Sequence, residues 1–398
     1  MNMKTVVFMA VIVLAIIILL APACKMAPPE LPAQIPIGCL MASSTTPTWG
    51  PNLIKAAQLA VSEINAAGGI DGKSLLLVIE DEGPTPASAL YAAHKLVEEQ
   101  KVQVIIGGTT SDAVMNIGPY LASKGVLLVT PSATSSTLAS QSWSKWVFLV
   151  SPEDSLQGGV VAKLIKDAGC KKVATIVQDT IYGRGIADMA EQFLKGRADI
   201  VASIKYDPAK LSYHAELNDL KDKQPDCVLH AGYYGDSAVI YEQARQSGLD
   251  SIPWVTSDGV YDMPLDKYLE AAKFMEKAVT GTVPVPDLQS DVYKSYVAAY
   301  QQAFDLVPTI FCDTSYDGVK LIAAALKKAD VYDGAAVRDA LAVVGMDYHG
   351  ASGTITFDQS GERIAGNYGI WKVKMVGTQY QFIMTGQSVS FLKPELKP

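Results

Sequence analysis

From residue 35 onward the chain alternates short apolar runs with amphipathic ones. The apolar runs at 37–42, 75–80, 102–107, 126–130, 173–177, 200–206, 227–231 and 254–257 are four to seven residues long and mostly bounded by Gly, Pro or Asp. Hydrophobicity that is continuous rather than alternating predicts strands covered on both faces. Between them lie helical patterns. Residues 52–67 place Ile54, Ala57, Val61 and Ile64 on one face and end in Gly68-Gly69, a helix stop signal. Residues 87–100, 112–124, 156–168, 183–196, 213–221 and 236–248 behave similarly. Strand alternating with helix predicts βαβ units and parallel sheets. The strands outnumber one comfortable sheet, so two α/β domains of doubly wound, Rossmann-like type are expected.

After 279–286 the rhythm changes. Helical stretches at 290–304, 313–328 and 335–344 follow with little strand between them. The chain ends in strands at 353–357, 368–376 and 379–383, the first two separated by the turn signal Asp358-Gln359-Ser360-Gly361. Their alternation of apolar and polar positions suits an antiparallel pair exposed on one side.

The N-terminus is of another kind. One lysine precedes an unbroken apolar run at 6–20, followed by Ala21-Pro22-Ala23-Cys24 and a Pro-rich stretch. A charged start, an apolar core and small residues before a boundary read as a signal peptide over residues 1–23. The run is short for a relaxed membrane span, which leaves cleavage and retention both open. Cys24 after small residues resembles a lipoprotein acylation site, although Ala21 stands where such sites usually have Leu. Ala21-x-Ala23 also suits ordinary cleavage. Either anchor holds the protein at the outer face of a membrane, with residues 24–36 as spacer.

Composition narrows the chemistry. The 398 residues are 49% apolar and carry a net charge of −8. An acidic chain does not suit nucleic acid, whose phosphates need a basic surface. Cys39, Cys170, Cys227 and Cys312 form no CxxC or CxxH pair, so metal-site spacing is absent. Cys39 and Cys227 fall in strand-like runs and read as buried free thiols, without a disulfide framework. His94 reads as solvated and His230 as a hydrogen-bonded core residue. No GxSxG, HExxH or Walker A signature is present. Gly107-Gly108 and Gly183-x-Gly185 fall short of GxGxxG and read as ordinary helix-start glycines. Neither an enzyme nor a cofactor is expected.

Binding reads better. Hydroxyl-rich segments, 109–112 and 130–135, follow strands and precede helices. Singly they are plain N-caps. At the carboxyl ends of strands in an open α/β sheet they are also where ligands dock, and a helix start holds a carboxylate. Trp49, Tyr182, Tyr233 and Asp258 follow four more strands and supply aromatic walls and one acid.

In order and spacing, these elements resemble the Liv-type branched-chain amino acid binding proteins of ABC transporters. They are Trp49-Gly50, Asn65-Ala66-Ala67-Gly68-Gly69-Ile70-Asp71-Gly72, Gly107-x-x-x-Ser111, Pro131-Ser132-Ala133-Thr134, Tyr182-Gly183-x-Gly185, Gly232-Tyr233-Tyr234 and Asp258-Gly259. The similarity runs from about residue 37 to the end. It implies the type I periplasmic binding protein fold, with lobes of residues 37–150 plus 285–350 and 151–284 plus 351–398. They would be joined by crossings near 150–152, 282–284 and 349–353.

The resemblance further implies that Ser111 and the Thr134 N–H hold a ligand carboxylate. The carbonyl and hydroxyl in the Ser132-Ala133-Thr134 segment would accept from its ammonium, and Asp258 would neutralise it. Trp49, Tyr182 and Tyr233 would close over the side chain. Family members often have Glu where Asp258 stands and Tyr where Trp49 stands, so the ligand's identity stays open among neutral aliphatic amino acids, amides, urea-like molecules and aromatic acids. The implied partners are a small amino acid and the permease subunits of an ABC importer. A ligand-sensing ectodomain is the alternative.

Overall fold

The computed structural model describes residues 30–46 and 48–393. The signal-like run and Cys24 lie outside the described residues. Five strands come first: β1 (Gln34–Met41), β2 (Ser74–Asp81), β3 (Val104–Gly107), β4 (Leu127–Thr130) and β5 (Val147–Pro152). Five more follow: β6 (Lys172–Gln178), β7 (Asp199–Tyr206), β8 (Cys227–Ala231), β9 (Trp254–Thr256) and β10 (Val279–Pro284). The last are β11 (Tyr348–Gly350), β12 (Gly353–Ile355), β13 (Glu362–Arg363), β14 (Ala365–Val376) and β15 (Gln379–Leu392). The helices are α1 (Gly50–Ala66), α2 (Pro86–His94), α3 (Ser111–Ser123), α4 (Asp154–Asp167), α5 (Ile181–Leu194), α6 (His214–Asp222), α7 (Tyr234–Gln246), α8 (Leu269–Ala278), α9 (Asp291–Phe304), α10 (Cys312–Ala329) and α11 (Gly334–Val344).

Among the described residues these build two large sheets and a small antiparallel pair, β11-β12. The first has the order β2-β1-β3-β4-β5-β13 and is parallel throughout. The second has the order β7-β6-β8-β9-β10-β14-β15, parallel as far as β10 and antiparallel beyond. Every residue of β3, β4 and β5 is buried, because helices cover both faces. On the first sheet α1 and α10 close one face while α2 and α3 close the other. On the second, α6, α7 and α8 face α4 and α5 across the sheet. The outer strand β15 is largely exposed, and its alternation in sequence reflects that.

Some boundaries differ from the sequence reading. Leu31 and Ile35 are buried in the first core, so residues 30–36 pack on that lobe instead of acting as a spacer. β1 must start at Gln34 to pair its full length with β2. The third crossing lies later than 349–353. Ala351, Ile355 and Phe357 pack into the first core, and β13 pairs with β5, so the chain changes lobe at Ile364. The other crossings fall between Pro152 and Asp154 and between Pro284 and Asp291. The strand β5 and the helix α8 are additional to the elements that the sequence pattern predicts.

Candidate ligand-binding site

In the parallel part of each sheet the strand order reverses beside the first strand: between β1 and β3 in one lobe, and between β6 and β8 in the other. Loops leaving the carboxyl ends of strands diverge at such a point and open a crevice. The two crevices face each other. Trp49 follows β1, Ser111 opens α3 after β3, and Ser132-Ala133-Thr134 follow β4. From the other lobe, Tyr182 sits in the first turn of α5, Tyr233 precedes α7 and Asp258 follows β9.

Six of the eight predicted residues meet around one cavity of about 20 Å³: Trp49, Ser132, Thr134, Tyr182, Tyr233 and Asp258. Ser111 and Ala133 stand behind it. Ser111 Oγ accepts from the backbone N–H groups of Thr134 (3.2 Å) and Ser135 (3.1 Å). Thus the Thr134 N–H assigned to a ligand carboxylate is held within the first lobe. Ala133 is fully buried, and its N–H donates to Thr130 Oγ1 at 3.1 Å. The Ser132 hydroxyl donates to the Thr109 carbonyl, which fixes the loop. Gly183 is required by close approach, since a Cβ there would come within 2.3 Å of the Gln178 carbonyl oxygen.

The second lobe supplies a bonded acid. Tyr182 Oη donates to Asp258 Oδ1 at 2.9 Å, lies 2.7 Å from Ser257 Oγ and accepts from the Gly259 N–H at 3.0 Å. The Tyr182 ring stacks on Tyr233 with centroids 5.1 Å apart. Asp258 is 5% exposed; burial raises its pKa, and the Tyr182 bond offsets this in part.

Sequence reasoning missed several residues here. Asp154 begins α4 at the first crossing. It is fully buried, and neither of its carboxylate oxygens has a well-formed hydrogen bond. Burial drives its pKa well up, the Thr134 hydroxyl beside it offsets this in part, and the charges of Asp258, Glu153 and Glu362 add to the rise. In sequence it is an acid at a helix start, which looks like any N-cap. Tyr261, Ile310 and Phe311 also line the cavity. Phe311 belongs to a segment between helices that carried no periodic signal.

The lobes are closed on one another. The Ile181 N–H donates to Asp112 Oδ1 (3.3 Å), Ser135 Oγ donates to the Ile181 carbonyl (3.1 Å), and the Ile310 N–H donates to Asp262 Oδ2 (3.4 Å). A space of this size holds about one water. Among the described residues, no group of three or more His, Cys, Asp or Glu side chains could hold a metal ion.

Two doubly wound lobes with three crossings, facing each other over a crevice of hydroxyls, aromatics and a carboxylate, define a two-lobed binding-protein fold. Residues 34–379 match the family model described as periplasmic binding protein, and the chain belongs to that family. It is similar to the leucine-, isoleucine-, valine-, threonine-, and alanine-binding protein of Pseudomonas aeruginosa, with 27% identity over 77% of this chain and 80% of that one. It also resembles the branched-chain amino acid transporter substrate binding protein LivJ from Streptococcus pneumoniae, solved with isoleucine. There the TM-score is 0.74 and the identity 27%, covering 88% of this chain and 99% of that chain. A solute binding protein from R. palustris, solved with benzoate, shares the fold with a TM-score of 0.73 and 18% identity, over 89% of this chain and 97% of that one. Among the described residues no helix is long and apolar enough to cross a membrane.

Proposed function

We propose that this protein is the extracytoplasmic solute-binding component of an ABC importer, and that it closes its two lobes around a neutral L-amino acid. It binds without catalysis. The observation that carries this reading is the convergence of Ser132 and Thr134 from one lobe with Tyr182, Tyr233 and Asp258 from the other around one cavity. A zwitterion needs donors and acceptors close together and shielded from water. The Ser132 carbonyl and Thr134 hydroxyl accept from the ligand ammonium, and Asp258 neutralises it with Asp154 close behind. Ser111 and the Thr134 N–H turn from each other to the ligand carboxylate. Trp49, Tyr182 and Tyr233 wall the side chain. The relatives' ligands, branched-chain and other small amino acids, support the class. Delivery to permease subunits follows from the same reading. So does tethering at the outer face of the membrane, through acylated Cys24 or a retained N-terminal helix.

The benzoate bound by the R. palustris protein supports a second reading, an aromatic acid ligand. Thermal stability of the chain from residue 27 onward separates the two, measured against the common L-amino acids, small amides and aromatic acids. A ligand selective for the folded state raises the melting temperature by mass action. A shift with a neutral L-amino acid, lost in Asp258→Ala, is the expected result. Removing one partner of a buried ion pair costs about 3 kcal/mol or more, so that variant should bind at least about 100-fold more weakly. Shifts confined to ligands without an α-ammonium would overturn the role of Asp258.

A further inference from the structure

Beside the ligand cavity lies a second chamber of about 160 Å³. The two share Tyr261, Ile310 and Phe311 as a common wall. The chamber is set between the lobes, with Val283 and Met384 from one and Tyr293 and Tyr296 from the other. Its rim carries exposed apolar side chains, Leu288 at 49% and Met384 at 37%.

The wall between the chambers is strained. Phe311 has φ of +63°, a left-handed conformation that a bulky residue rarely adopts. Asp262, across the interface, is left-handed too, with φ of +66°, and its carboxylate accepts from the Ile310 N–H. Strain of this kind persists where the surroundings over-determine it and gathers at binding sites and switches. The closed main cavity, at about 20 Å³, is too small for a branched or ring side chain. The chamber behind the wall is not: an apolar cavity of about 150 Å³ accepts a benzene ring.

We propose that this chamber is a side-chain subsite, opened to the main cavity by movement of Phe311, and that it takes a single aromatic ring. The proposal rests on the reading of the main cavity as the place of the ligand's polar end. Aromatic walls suit a ring at edge or face. Asp313 is the one charged side chain lining the chamber. A carboxylate there repels an acid group, so the ligand's own carboxylate stays in the main cavity and its ring enters.

The test measures binding of L-phenylalanine, benzoate and L-leucine by calorimetry to the wild type and two variants at the exposed rim. Leu288→Trp fills the chamber, and Leu288→Ala leaves it open. A filled pocket is expected to weaken the ring ligand by about tenfold or more, while Leu288→Ala stays near wild type. That pattern with L-phenylalanine supports both the subsite and the amino-acid reading. The same pattern with benzoate alone supports the subsite and removes the amino-acid reading. Ring ligands that bind equally to all three proteins would overturn the subsite. Binding of L-leucine without either ring ligand would overturn it as well, with the amino-acid reading intact. Unchanged circular dichroism of the variants shows that a loss is not unfolding.

Discussion

Glu82, just past the end of β2, shows what burial does to a carboxylate in this protein. It is 3% exposed, and its Oε1 accepts from the Thr109 N–H (2.6 Å) and hydroxyl (3.0 Å). Burial still pushes its pKa up to about 7. A raised folded-state value means the folded protein holds a proton that the unfolded chain releases. Stability contributed by that proton is present at acid pH and is lost as pH rises from about 4.5 through 7. At about 1.4 kcal/mol per unit the loss is roughly 3 kcal/mol. Glu82→Gln can still accept from Thr109. It should match wild type in urea denaturation at pH 4 and exceed it by about 1 to 3 kcal/mol at pH 8. Equal stability at both pH values would contradict this. His230 shifts the other way, lowered to about 3 by burial, and sits fully buried with Tyr241 Oη 2.9 Å from its Nδ1. Its core position was readable, because it interrupts an apolar strand. The burial of Glu82 and Asp154 was not: acids beside strand ends and helix starts look alike in sequence, and only the fold places them under neighbouring loops.

At the scale of elements, the clasp between α3 and α5 connects the two halves of the site. Asp112, next to Ser111, accepts from the first N–H of α5, beside Tyr182. Asp112 does not line the ligand cavity. Its second oxygen, Oδ2, is buried without a partner, and burial raises the carboxyl pKa. Asp112→Ala should therefore reduce the closed population and weaken ligand binding about 5- to 30-fold, through a hydrogen bond to a charged group worth about 1 to 2 kcal/mol. Calorimetry would show this loss alongside a faster dissociation rate. Unchanged affinity would show that the clasp does not hold the lobes. Most elements here were legible from period alone, since strands buried on both faces and amphipathic helices differ plainly. The strand β13 was not, because two residues carry no period. It is made a strand by its neighbour β5.

At the scale of the molecule, two sheets whose first five strands follow the same order face each other, and their switch points supply the two halves of one cavity. The order of motifs pointed to that convergence. The place of the third crossing depended on core packing of Ala351, Ile355 and Phe357, which spacing does not encode. The closed cavity of about 20 Å³ has room for about one water, so entry of a small organic ligand requires the lobes to part. On the proposed function, ligand binding and lobe closure are one event. Small-angle X-ray scattering tests it most directly, on the chain from residue 27 onward with and without the ligand found by thermal shift. A larger radius of gyration is expected without ligand, with contraction at saturation to a liganded form that is wider at the cleft than this closed form. An identical radius in both states, at full occupancy, would contradict it.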